Sequence, residues 1–144
     1  MTVIGAVDGS DDDSRVGAEA MKLAKGFDEE VHLVHVLNRD RFVELEQTSV
    51  DKSGEAIDID RIRELAGKIA NKTAQSLNRP VQSVGLFGDI TPRLLDYADE
   101  VDASYIVVGG RKQSPVGKAM FGDVGQSVIL NSNHPVVVVP EERS

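Results

Sequence analysis

Tyr105 to Val139, YIVVGGRKQSPVGKAMFGDVGQSVILNSNHPVVVV, decides how the rest of the chain is read. It predicts a buried strand, a glycine turn, a loop with a cationic pair, a helix and a second buried strand. Tyr105 to Val108 is an unbroken β-branched and aromatic run, the pattern of a strand covered on both faces. Gly109 and Gly110 are expected to stop it. Gly122 precedes a helical pattern in which Val124, Val128 and Leu130 fall on or near one face, Pro135 closes the helix zone, and Val136 to Val139 form the last strand before Pro140. A glycine turn after a parallel strand, feeding a helix N-terminus, is where α/β proteins hold phosphates.

Upstream, the same alternation repeats three times. Thr2 to Val7 reads as a first buried strand, ended by Asp8-Gly9-Ser10. Asp11, Asp12 and Asp13 then suit an N-cap and the positive end of a helix dipole. Val16, Ala20, Met21, Leu23, Ala24 and Phe27 recur at helical spacing. Val31 to Leu37 is the second strand, and its His32 and His35, three residues apart, point to opposite faces and cannot chelate one ion. Residues 38–57 have no steady period and read as a loop. Ile62 to Leu77 carries a second helix, Val81 to Phe87 a third strand, and Thr91-Pro92 reads as an N-cap with proline at the first helical position. Leu94, Leu95, Ala98 and Val101 carry that third helix to the strand at Tyr105. Five strands alternating with four helices predict one domain over residues 1–144: an open, five-stranded, mostly parallel α/β sheet, doubly wound, with helices on both faces. If the first and fourth strands are neighbours, Asp8 and residues 109–123 face one crevice.

Composition narrows the function. With 144 residues the chain can bury about two-thirds of its unfolded surface. Aromatics are only 4%, so the core is aliphatic, and the absence of cysteine excludes a disulfide framework, a zinc ribbon and a thiol nucleophile. No apolar run approaches a membrane span and no leader pattern opens the chain, so a cytoplasmic protein away from the membrane is expected. The net charge of −8 disfavours nucleic acid. That acidity has two readings, ordinary solubility and adaptation to high salt.

Catalytic patterns fail one by one. Gly117-Lys118 echoes a Walker loop, but Lys112 stands where its first glycine belongs and Ala119 where its hydroxyl belongs. There is no G-x-S-x-G and no G-x-G-x-x-G. Asp8-Gly9-Ser10 lacks the second glycine of a pyrophosphate loop, and no histidine is placed to serve Ser10 or Ser14 as a base. A binding module rather than an enzyme is expected.

Over nearly its full length the chain resembles the universal stress protein family. The resemblance is carried by Val7-Asp8-Gly9-Ser10, His35-Val36, and Val108-Gly109 through Phe121-Gly122 into Asn133-His134-Pro135 and Val136 to Val139. GRKQSPVGKAMFG is especially similar to acidic, salt-adapted archaeal members. It implies an adenine nucleotide alpha hydrolase-like fold with strand order 3-2-1-4-5, and a homodimer formed through the last strand, Val136 to Val139. Nucleotide-binding members carry Gly-x-x-Gly, nine residues, then Gly followed by Ser or Thr. Here the first glycine falls on Gly109 and the third on Gly122, but the second position is Lys112 and the hydroxyl position is Asp123. A positive φ at Lys112 would cost roughly 1 kcal/mol. Asp123 puts a carboxylate at the anion-favouring end of a helix, which opposes a triphosphate. The resemblance therefore implies a base side at Asp8 and Val36, with Val7 at the strand end. It implies a phosphate side at Val108, Gly109, Gly110, Arg111, Lys112, Gly122, Asp123 and Val124. The expected ligand is AMP, or ATP with Mg²⁺. The expected role is a regulatory or protective module, with a same-fold interaction protein that binds no nucleotide and a weak ATP hydrolase as alternatives.

Overall fold

The computed structural model describes residues 2–10, 13–40, 42–43, 59–77, 80–110 and 123–140, with side chains for all of these except Asp123 and Val124. Its elements are β1 (Thr2–Ala6), α1 (Asp13–Phe27), β2 (Glu30–Leu37), α2 (Ile59–Ala74), β3 (Gln82–Phe87), α3 (Ile90–Val101), β4 (Ala103–Gly110), α4 (Asp123–Asn131) and β5 (Val136–Pro140). The five strands form one sheet in the order β3-β2-β1-β4-β5, and every pairing is parallel. The expected strand order, including the β1–β4 adjacency, is the observed one.

Side chains alternate across this sheet into two aliphatic layers. Val3, Leu33 and Val107 point to the face covered by α1 and α2, where they meet Val16, Ala20 and Ala70. Ile4, Val34, Ile106 and Val108 point to the other face, against Leu94, Ala98 and Val128 of α3 and α4. Both layers are buried because each crossover helix returns its apolar stripe to the sheet. Gly85 marks the tightest contact: a Cβ there would collide with the main chain of Arg63 and Gly67, so α2 lies directly on β3.

Several local expectations change. Gly109 and Gly110 do not stop β4 but pair with Val139 and Pro140. Neither has a positive φ, so they continue the extended backbone. Pro140 is tolerated because alternate residues of β5 face β4: Ile106 N–H donates to Pro135 O at 2.9 Å, which puts the N side of residues 136, 138 and 140 on the outer edge. The cap of α3 is Asp89, with Pro92 inside the first turn, where N–H groups have no helical partner anyway. Leu130 is 73% exposed, because it lies two residues from buried Val128 and so about 200° around α4 from the core face. Phe27 is 56% exposed and stacks on Tyr105 at 5.8 Å instead of entering the core. Residues 39–40 and 42–43, read as loop, are helical, and buried Phe42 packs with Leu37, Ile62 and Ala66. His32 and His35 do face opposite sides, one toward Tyr97 at 2.6 Å and the other toward Val7 O at 2.8 Å.

Candidate functional site

In the order 3-2-1-4-5 the chain winds outward from β1 in one direction and from β4 in the other. A crevice therefore opens beyond the carboxyl ends of these two strands, because their following helices leave toward opposite faces. Val7 forms its floor. It is buried, donates to Val34 O at 3.0 Å and accepts from the His35 ring at 2.8 Å, so the strand end is held after β1 formally stops. The next residue, Asp8, is exposed at the mouth.

The turn that carries Asp8 is built on side-chain to main-chain bonds. Ser10 N–H donates to Asp8 Oδ1 at 2.9 Å. Gly9 sits at φ 89°, a left-handed conformation that favours glycine. Asp13 was expected to serve the N-terminus of α1, together with Asp11 and Asp12. Instead its carboxylate reaches back across the turn, taking the N–H of Asp8 at 2.9 Å and of Gly9 at 2.7 Å. Asp11 and Asp12 lie outside the described residues. Burial raises the Asp13 carboxyl from the ordinary carboxylate range to about 6, the negative charge of Asp8 adds to that rise, and the two amide donors oppose it. No local pattern announces this role, since it depends on the shape of a turn that residue spacing does not specify.

On the β2 side, the ladder alternation decides what Val36 can offer. Its side chain is buried in the layer under α3 and α4. Val34 O accepts from Val7, and Leu37 O accepts from Gly88 N–H at 3.2 Å on the β3 side. Residues 34 and 36 thus turn their peptide groups toward β1. The Val36 N–H and C=O are directed past the point where β1 ends. The predicted base-side residues Val7, Asp8 and Val36 are therefore brought together, Val36 through its main chain.

Gly109 stands across from them and is the meeting point of two helices. A Cβ on Gly109 would lie 3.5 Å from Val16 Cγ2 of α1, and one on Gly125 of α4 would lie 3.4 Å from Gly109 O. The N-terminal turns of α1 and α4 thus approach the end of β4 from opposite faces. Helix N-termini carry partial positive charge and orphan N–H groups. Val108 is buried beneath, and Gly110 is buried beside it. Arg111, Lys112 and Gly122 lie outside the described residues. Asp123 is the first residue of α4, and its side chain and that of Val124 are likewise outside what is described. Among the described residues there is no group of three or more acidic or histidine side chains suited to a metal ion. Among them, too, no helix is long and apolar enough to cross a membrane.

A family model described as the universal stress protein family matches residues 1–140. A universal stress protein of Methanocaldococcus jannaschii is 27% identical over 143 residues, covering 98% of this chain and 82% of the relative. The structure of a universal stress protein from Archaeoglobus fulgidus superposes with a TM-score of 0.61 at 30% identity, covering 96% of this chain and 97% of the other. An Archaeoglobus fulgidus universal stress protein in complex with dAMP gives a TM-score of 0.55 at 26% identity, with 96% of each chain covered. With a family model matching residues 1–140 and a solved universal stress protein superposing on nearly the whole chain, the chain belongs to the universal stress protein family.

Proposed function

We propose that this chain is a cytoplasmic, non-catalytic regulatory module that binds an adenine nucleotide, AMP or ATP, in the crevice between β1 and β4. The observation that carries this reading is the convergence of two helix N-termini on Gly109, opposite an exposed carboxylate at Asp8. A phosphate is an acceptor-only anion and suits the first feature, while ribose hydroxyls are donors and suit the second. The Val36 peptide offers one donor and one acceptor side by side, as the edge of adenine requires. The dAMP complex of the Archaeoglobus relative supports the choice of an adenine nucleotide over other phosphates. In this reading Gly109, Gly110, Arg111, Lys112, Gly122 and the backbone at Asp123 and Val124 serve the phosphate end.

Asp123 favours a second reading, a same-fold interaction protein that takes no nucleotide. Its carboxylate belongs to the first residue of α4, where it competes with phosphate for the helix dipole. The two readings separate on one experiment: release and mass identification of small molecules from purified protein, then titration of AMP and ATP with and without Mg²⁺. Recovered adenine nucleotide or micromolar affinity is expected. No binding at millimolar ligand, regained in Asp123→Ser, would establish the second reading.

The unit is proposed to be a homodimer joined through β5. Val136, Val137 and Val138 are only partly buried, and β5 has a strand partner on one side alone among the described residues. An apolar edge of this kind needs cover. Val138→Pro removes an outward N–H without touching the β4 ladder. Light scattering should then give a monomer mass from a folded protein, and an unchanged dimer would place the interface elsewhere.

A further inference from the structure

The turn between β1 and α1 holds a buried acid that the nucleotide reading does not use. Asp13 is 5% exposed, whereas Asp8 is exposed at the mouth of the crevice. Both oxygens of Asp13 are engaged by the turn itself, with Asp8 N–H on Oδ1 and Gly9 N–H on Oδ2. The peptide that carries the Asp8 carboxylate therefore hangs from Asp13. We infer that Asp13 is a positioning residue of the crevice whose protonation state controls how Asp8 is presented to a bound nucleoside, an inference that rests on the nucleotide reading above.

The chemistry follows from what each protonation state can do. Ionised Asp13 accepts from both amides and stands beside a second carboxylate, so repulsion opposes close approach of the two groups while Ser10 N–H holds Asp8 Oδ1. Protonated Asp13 has one O–H to donate, and Asp8 is the acceptor within its reach. That bond draws Asp8 inward and weakens one of the two amide contacts. Burial and the Asp8 charge place the change near 6. Among the described residues, the other elements at this turn add little charge. From α2 comes the apolar Ile69, whose Cγ2 would be 3.4 Å from a Cβ on Gly9. From β2 comes His35, whose Nδ1 is committed to Val7 O. The helix α1 itself brings Arg15 and Glu19 as its nearest charged residues in sequence, and neither contributes to the Asp13 shift.

The test uses the whole protein and two readouts. Amide resonances of Asp8 and Gly9, followed by NMR from about pH 4 to about pH 8, should share one step with a midpoint near 6, and Asp13→Asn should lack it. Calorimetric titration with AMP should show a loss of affinity from about pH 7.5 to about pH 5 that is up to about tenfold larger in the wild type than in Asp13→Asn, where only the protonation of the AMP phosphate near about pH 6 contributes. Amides in the wild type that titrate near 4, or not at all, would overturn the inference without recourse to any variant. An amide step near 6 with an AMP affinity that changes equally in wild type and variant would overturn the control of ligand binding and leave the nucleotide reading intact. An amide step near 6, with the Asp8 carboxyl carbon moving in parallel and no AMP binding at any pH, would support the Asp13–Asp8 coupling and remove the nucleotide reading.

Discussion

Two turns at opposite ends of this sheet are tied down by titratable side chains, in opposite electrostatic settings. At the crevice end, the turn between β1 and α1 hangs on Asp13, an acid buried beside another acid. At the far end, the turn between α4 and β5 hangs on His134. Its ring nitrogens face two acceptors, Ala103 O at 2.9 Å and Asp99 Oδ1 at 2.8 Å, and its N–H donates to Ser132 Oγ at 2.8 Å. The far turn joins groups that attract one another, and its task ends with fastening β5 and α4 to α3 and β4. The crevice turn joins groups that repel and leaves a carboxylate at the surface. A fold that needed only a closed turn there would be better served by a neutral cap, so the cost of the like-charge pair points to the ligand end of the sheet.

The largest effect should come from the far end. His134→Ala removes the bridge to Ala103 and Asp99 and is expected to lower stability by about 1–3 kcal/mol, read from urea unfolding, with nucleotide affinity unchanged. A loss of affinity of the same size as that seen on altering the crevice would break the division of labour between the two turns. Next comes Gly9→Ala, which forces a side chain into φ 89° and should cost about 1–2 kcal/mol while disturbing the placement of Asp8. If this variant is as stable as the wild type, the turn is looser than its hydrogen bonds imply.

Near about pH 7 the smallest change in stability, and through its pH dependence the sharpest test, is that of Asp13→Asn. Because the folded carboxyl titrates near 6 instead of the ordinary 3.8, its favourable contribution is complete below about 3.8 and is lost as pH rises through 6. The asparagine variant has no such dependence. Its stability deficit relative to the wild type should therefore widen as pH falls from about 7 to about 4. A deficit that narrows over that range is the behaviour of a salt-bridged acid and would contradict the like-charge setting.

Much of the architecture was legible in advance because parallel strands packed between helices are dominated by apolar, β-branched residues. Val31 to Leu37 and Val136 to Val139 could be read as strands without knowing their neighbours. Helix boundaries were less legible: Pro92 marked the first turn of α3 but not its first residue, since any of the unpaired N–H positions can accept proline. Leu130 misled because hydrophobicity counts toward a helix whether or not the residue faces the core. In the site, Asp8 and Gly109 were identified from the family resemblance, and the sheet brings them to one crevice. The part of Asp13 was invisible, as an acid ahead of a helix has the same appearance whether it caps the helix or reaches back to the preceding strand.

Read without its fold, the chain already specifies the alternation of buried strands and amphipathic helices, the absence of thiol chemistry, and the family with its two departures at Lys112 and Asp123. Those are properties of residue type and spacing, which act locally. The folded arrangement was needed to show that α1 and α4 meet at Gly109, that Val36 offers its peptide rather than its side chain, and that Asp13 holds up Asp8. Each of these joins residues that local periodicity cannot relate. The carboxyl of Asp13 acquires its altered proton affinity only when folding removes it from water and sets it beside Asp8.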